Sequence, residues 1–220
     1  MEEDLNTSYI GLREDLIEHI EGSNLNVLDV GCATGTNGSY LLDKQIAKCV
    51  VGVEFDEFMS KKASEKYDKV FTGDLNSNLF VQSIITQDTK FDYIIFGDIL
   101  EHLISPLDVL KSFKVLLKDT GSVIISVPNI AHIELFIQVF IKGTWPKNKR
   151  GIFDKTHLRW FTKKDIKQLV VDADLKVDLY VPKLRSRDAV GSKFGFWTKA
   201  LRLIKKDWVT FQHIIVCSHG

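Results

Sequence analysis

The chain of 220 residues is 45% hydrophobic and 26% charged, with a formal net charge of zero, the balance of a globular domain long enough to bury a core. That neutrality argues against a general electrostatic preference for nucleic acid or another acidic polymer. The charge is unevenly placed, because residues 1–21 carry seven acids against Arg13 while 183–206 carry eight Lys and Arg against Asp188.

The start, "MEEDLNTS", is acidic and lacks the basic and apolar regions of a leader peptide. A helix is expected near 7–20, with Leu12, Leu16, Ile17 and Ile20 on one stripe. Short β-branched runs then alternate with helical patterns. Strands are expected at Asn26–Val30, Cys49–Glu54, Lys69–Thr72, Phe91–Phe96, Ser122–Val127, Lys176–Val181 and Val209–Cys217, with helices near 37–46, 57–66, 77–87 and 106–117. Continuous apolar strands such as "DYIIF" and "SVIISV" suit a sheet buried on both faces. The alternation argues for a doubly wound, Rossmann-like, mostly parallel α/β sheet with helices on both faces, in one domain spanning 1–220.

Two regions break the rhythm. Residues 128–160 are too long for a plain connection and contain Gly143, Pro146 and Gly151, so they read as an insertion on the substrate side. Its apolar run "IELFIQVFI" at 133–141 is too short to cross a bilayer and holds Glu134 and Gln138. After it, "FTKKDIKQLVVDA" places Thr162 and Asp165 at capping-box spacing, the start of a helix. The second irregular region, 183–206, is basic and aromatic. Within it "SKFGFWTKALRLIKK" sets Trp197, Ala200, Leu201 and Ile204 on one stripe and Lys199, Arg202 and Lys206 opposite. This reads either as a helix packed on the sheet with a solvated basic face, or as an amphipathic contact (through 193–206) to a membrane surface or lipid-linked glycan.

Cys32, Cys49 and Cys217 are scattered, without C-x-x-C or Cys/His spacing, and are expected as reduced thiols in a cytoplasmic protein with no metal site. The first strand runs into "VLDVGCATGTNG", whose glycines Gly31, Gly35 and Gly38 follow G-x-x-x-G-x-x-G. A dinucleotide loop would read G-x-G-x-x-G, and Ala33 stands where its second glycine belongs. An open α/β sheet binds ligands at the carboxyl ends of its strands, so this loop is the first candidate site. The alternative is a tight strand-to-helix turn.

"VLDVGCATG", "VVGVEFD", "FTGDL" and "FDYIIFGDILEHLISPLDVLKSFKVLLKDTGSVIISVPN" resemble, in order and at ordinary spacing, the motifs of class I S-adenosylmethionine-dependent methyltransferases. The resemblance covers roughly 25–130 well and the rest more loosely. It implies strand order 3-2-1-4-5-7-6 with strand seven antiparallel, and S-adenosylmethionine as methyl donor, leaving S-adenosylhomocysteine. It also implies that Asp29 and the backbone of Gly31 and Cys32, in the loop that Gly35 completes, meet the methionine end. Glu54, followed by Phe55, would take the ribose hydroxyls. Asp74 and the Leu75 backbone would lie at the adenine amine, and Asp98 near the methionine and reacting methyl. The competing readings are a solvated turn residue for Glu54, an Asx turn for Asp74 and a capping role for Asp98.

Methyl transfer needs alignment of donor and acceptor and, for a hydroxyl acceptor, removal of a proton. The candidate bases are His102, Asp154 and His157. "GIFDKTHLRWFT" resembles a segment of bacterial methyltransferases associated with glycan and surface-polysaccharide assembly. Asp154 and His157 are three apart, so a helical turn would put them on one face, and the carboxylate would raise the basicity of the histidine. The competing reading is that they only anchor the loop. "FGDIL" lacks the Asp/Asn-Pro-Pro-Tyr/Phe of enzymes that methylate base nitrogens, and no Pro-Cys pair follows, which disfavours a nucleic-acid substrate. The expected acceptor is a small polar molecule, first a sugar hydroxyl in a glycan, nucleotide-sugar or polysaccharide precursor. A quinone-like or lipid acceptor, and a non-catalytic S-adenosylmethionine-binding subunit, are the alternatives. No oligomeric state is implied.

Overall fold

The computed structural model describes residues 11–87, 89–184 and 202–220. Seven strands form one sheet: β1 (Leu25–Val30), β2 (Ala47–Glu54), β3 (Lys69–Thr72), β4 (Phe91–Gly97), β5 (Leu117–Pro128), β6 (Leu175–Leu184) and β7 (Thr210–His219). Their order is β3-β2-β1-β4-β5-β7-β6, and β7 runs antiparallel to both of its neighbours. This is the topology the motifs imply.

Successive residues of a strand point to opposite faces, and here both faces are covered. Leu28, Ile94, Ile125 and Ile215 pack under the helices α4 (Asn78–Ile85), α5 (Pro106–Lys114) and α7 (Lys163–Asp172), with Phe113 and Ile166 fully buried. Val27, Ile95, Ile124 and Ile214 pack on the other side under α1 (Glu14–Ile17), α2 (Thr36–Asp43) and α3 (Glu57–Ser64), with Leu16, Leu41 and Ala63. The doubly buried sheet explains the unbroken apolar strands.

Local chemistry sets several boundaries. The Thr162 hydroxyl accepts from the Asp165 N–H and the Asp165 carboxylate accepts from the Thr162 N–H, the expected capping box at the start of α7. Asp56 caps α3 through the Met59 N–H at 2.8 Å. The first helix is shorter than its apolar stripe. Only Glu14–Ile17 is α-helical, although Leu16, Ile17 and Ile20 are all buried as the stripe requires, and residues 7–10 lie outside the described part. β5 begins five residues before the expected strand because Gly121 sits inside it, with Leu117 paired to Phe91.

The insertion is ordered around buried polar groups. A short helix α6 (Ile133–Leu135) runs into a π-helical turn, Phe136–Ile141, with Gln138 Nε2 donating to Glu134 Oε1 at 2.7 Å inside it. Phe136, Phe140 and Ile141 face outward. The far end of the insertion returns to β5: Ile130 donates to the Phe161 carbonyl, and the Asn129 side chain donates to the carbonyls of Asp207 and Thr210. The segment 154–160 is thereby laid across the mouth of the sheet. Of the basic segment 183–206, residues 185–201 lie outside the described part, and with them Trp197, Lys199, Ala200 and Leu201 of the expected stripe; Arg202, Ile204 and Lys206 are described and all exposed, Ile204 at 71%. Among the described residues no helix is long and apolar enough to cross a membrane.

Candidate active site

At the carboxyl ends of β1, β2 and β4 lies a cavity of about 620 Å³, within the range of small-molecule sites. Asp29, Gly31 and Cys32 line it from β1, Glu54 and Phe55 from β2, Asp74 and Leu75 from beyond β3, and Asp98 from beyond β4. Gly35 stands behind this wall. It takes φ +75° as the residue before α2, a left-handed conformation that favours glycine. Gly38 serves differently, because a Cβ there would collide with the Tyr67 ring.

Tyr67 is the buried brace of the loop. Its hydroxyl donates to Asp29 Oδ2 at 2.7 Å and accepts from the Gly38 N–H at 2.8 Å. Burial pushes the Asp29 carboxyl up to about 6; the Tyr67 hydrogen bond acts downward and the charge of Glu54 upward. Tyr67→Phe is expected to cost about 1–3 kcal/mol of stability, since it strips a buried acceptor and a buried donor of one partner each. Denaturant unfolding measures the loss.

The Glu54 carboxylate spans the loop. Oε2 accepts from the Ala33 N–H at 2.8 Å, and Oε1 accepts from Phe55 and Asp56 at 2.9 and 3.0 Å. Ala33, where a dinucleotide loop has glycine, takes φ +47°, so the left-handed conformation survives the exchange of residue. Gly31 and Cys32 both donate their N–H to the Val53 carbonyl. Asp74 forms an Asx turn, its Oδ1 accepting from the Asn76 N–H at 2.8 Å, and still borders the cavity.

At the opposite end, Asp98 has φ +57° and caps no helix. Its carboxylate is paired with Arg13 and accepts from Ser126 Oγ at 2.9 Å and from the Gln212 amide. Arg13 also donates to Asp15 Oδ1 at 2.9 Å and to Ser126 Oγ at 3.1 Å. Arg13 lines the cavity. Sequence reasoning passed over it, although it is the lone cation in an acidic amino-terminal stretch.

His102 closes this end and borders the cavity with Thr156. Its Nδ1 lies 3.1 Å from Thr156 Oγ1 and 3.3 Å from the Thr156 carbonyl. The Thr156 hydroxyl donates to Asp154 Oδ1 at 2.6 Å. Asp154 and His157 share a tight turn rather than a helix, the His157 N–H reaching the Asp154 carbonyl at 3.2 Å. Both are buried behind His102, whose ring meets His157 edge to face at 4.8 Å. The expected gain in basicity is outweighed by the setting. Burial and the neighbouring His102 bring His157 down to about 4, and burial lowers His102 too, although Asp154 acts upward on both. Leu158 and Arg159 donate their N–H groups to the Glu101 carbonyl at 2.8 and 2.9 Å, tying this segment to the turn that carries His102.

A family model described as "Methyltransferase domain" matches residues 1–180. The chain belongs to that family. It is an S-adenosylmethionine-dependent methyltransferase. Solved structures of similar fold include an S-adenosylmethionine-dependent methyltransferase from Archaeoglobus fulgidus, 20% identical, covering 96% of each chain with a TM-score of 0.61. The PH0226 protein of Pyrococcus horikoshii is 19% identical over 100% of this chain and 93% of its own, with a TM-score of 0.62. A methyltransferase from Mesorhizobium loti is 13% identical over 95% and 99%, with a TM-score of 0.63. No curated protein is significantly similar in sequence.

The methyltransferase cavity fits its donor in chemical character. Anionic Asp29 and Asp98 suit a sulfonium and an ammonium, and apolar Leu75, Ile99 and Leu103 suit a purine. A Cβ on Gly31 would crowd Ile99 at 3.2 Å, so the glycine lets Ile99 pack against the loop.

Proposed function

We propose that this methyltransferase transfers the methyl group to a hydroxyl of a small polar acceptor, first a sugar hydroxyl in a glycan, nucleotide-sugar or surface-polysaccharide precursor. The observation that carries the reading is His102 on the cavity wall beside Asp98, backed by Thr156 and Asp154. S-adenosylmethionine supplies a methyl group on a sulfonium that leaves as a neutral thioether, so the protein has mainly to align the acceptor and accept its proton.

Each wall has an assigned part. Glu54 takes the ribose hydroxyls. Three backbone N–H groups already occupy most of its roughly four acceptor positions, so its grip on both hydroxyls draws one of those bonds away. Asp74, the Leu75 backbone and the exposed Phe55 ring border the adenine. With the Gly31 and Cys32 N–H groups spent on Val53, the Gly31 carbonyl is the loop group that meets the ammonium. Arg13 and Asp98 offer a cation and an anion to the zwitterionic methionine end.

His102 faces the acceptor, whereas His157 and Asp154 set its ring and are positioning residues. Trp145 and Trp160, edge to face at 5.8 Å and about half exposed, present ring faces for a sugar on the rim. A second reading, a quinone-like or lipid acceptor, is favoured by the outward Phe136, Phe140 and Ile141.

Labelled-methyl transfer across sugar, nucleotide-sugar and quinone-precursor panels, with mass spectrometry of the products, tests the proposal. Donor binding without transfer to any hydroxyl would point instead to a non-catalytic binding subunit. His102→Ala and His157→Ala are each expected to lower turnover by 10²-fold or more in order of magnitude, with the affinity for S-adenosylhomocysteine changed less than about threefold. Full activity in either variant removes that residue from the mechanism.

A further inference from the structure

We infer that Glu101, His102 and His157 form a binding site for one divalent first-row transition cation at the acceptor end of the cavity. Glu101 sits in the 3-10 turn Leu100–His102 and is 2% exposed, yet neither of its carboxylate oxygens has a hydrogen-bond partner. A buried carboxylate without donors is costly when ionised. It answers that cost by binding a proton or a cation.

The donors are already gathered. One ligand atom from each of Glu101, His102 and His157 lies within 4.8 Å of the others, and His157 Nε2 is 4.0 Å from Glu101 Oε1. Bonds of about 2.0–2.2 Å to a zinc-like cation bring ligand atoms to roughly 3.0–3.5 Å of one another. Side-chain rotations that move the donor atoms by about an ångström close that gap.

The outer contacts match those of ligating histidines, which commonly hydrogen-bond through their other ring nitrogen. Thr156 donates its hydroxyl proton to Asp154, so its oxygens accept from His102 Nδ1–H and leave Nε2 as the bare nitrogen. Two imidazoles and a carboxylate suit zinc, cobalt or manganese and leave a coordination position open. His102 is the member of this trio that borders the cavity, so the open position faces the acceptor. A hydroxyl bound there loses its proton more readily; with its Nε2 on the cation, His102 then acts by holding the cation rather than by taking that proton, which passes to solvent water. This last consequence rests on the proposed acceptor chemistry; cation binding itself does not.

The test uses chelator-stripped full-length protein titrated with Zn²⁺, Mn²⁺ or Co²⁺ alone. Calorimetry is expected to show one cation per chain with a dissociation constant of about 10 μM or tighter, and Co²⁺ to give visible ligand-field bands. Glu101→Gln and His157→Ala are each expected to weaken binding by about 30-fold or more while keeping the thermal shift produced by S-adenosylhomocysteine. Wild-type binding weaker than about 1 mM for all three cations overturns the inference, as does unchanged affinity in Glu101→Gln. If that variant does not fold, the wild-type titration and the Co²⁺ spectrum of His157→Ala decide. Methyl transfer that persists with no metal bound defeats the catalytic consequence alone. Metal binding without transfer to any acceptor defeats the acceptor proposal alone.

Discussion

Glu54→Ala is expected to lower affinity for S-adenosylmethionine and S-adenosylhomocysteine roughly 30- to 1,000-fold. Losing charge-assisted hydrogen bonds to ribose hydroxyls costs about 2–4 kcal/mol, and each 1.4 kcal/mol is about tenfold in affinity. The substitution also removes the acceptor for the Ala33, Phe55 and Asp56 N–H groups. These groups lie at the end of a strand beside the cavity, where water replaces the carboxylate, so the stability cost is about 1–2 kcal/mol. Glu54→Gln keeps the shape but puts an NH₂ in place of one oxygen, and falls between wild type and alanine. Calorimetric titration with S-adenosylhomocysteine reads all three proteins. Unchanged affinity in Glu54→Ala sinks the ribose assignment.

The largest expected loss of stability is at Phe113. This α5 side chain is fully buried and meets Phe96 of β4 edge to face, with ring centroids 5.7 Å apart and planes at 73°. Phe113→Ala removes the ring and leaves a cavity between α5 and the sheet, which costs about 3–5 kcal/mol. For a chain of this size that is a fall in melting temperature of roughly 6–20 °C. Val115, at the end of the same helix and 51% exposed, is the control: Val115→Ala is expected within about 0.5 kcal/mol of wild type. A Phe113→Ala loss below about 1 kcal/mol in denaturant unfolding would mean that α5 is not anchored through this ring.

Much of the donor side was legible in the sequence because its signals are local. The apolar strands, the glycine spacing after β1, the acid closing β2 and the Thr162–Asp165 box each depend on a few neighbouring residues. Their alternation implies a doubly wound sheet, and the family resemblance they carry implies the strand order that the structure has. Boundaries were less legible where a pairing partner extends a strand past a weak residue, as Phe91 does for β5 across Gly121. The short first helix differs for a related reason: burial of its stripe does not require a continuous helix.

The acceptor side is decided by distance in space. Asp98 pairs with a residue 85 positions away, Arg13. Tyr67 reaches Asp29 across 38 positions. His157 meets Glu101 because the insertion is pinned back at Asn129 and Phe161. Absence of cysteine spacing pointed away from a metal, yet a carboxylate and two histidines from two segments converge, which no short motif displays. Proximity of Asp154 in the chain pointed to a more basic His157, whereas packing from several elements removes solvent and lowers it. Sequence by itself thus determined the doubly wound α/β class, since strand runs and turn chemistry are local properties, and through its family resemblance it pointed to the strand order and the donor. Only the tertiary structure decided which charges face each other and which are stripped of water, because desolvation is set by everything that packs around a group.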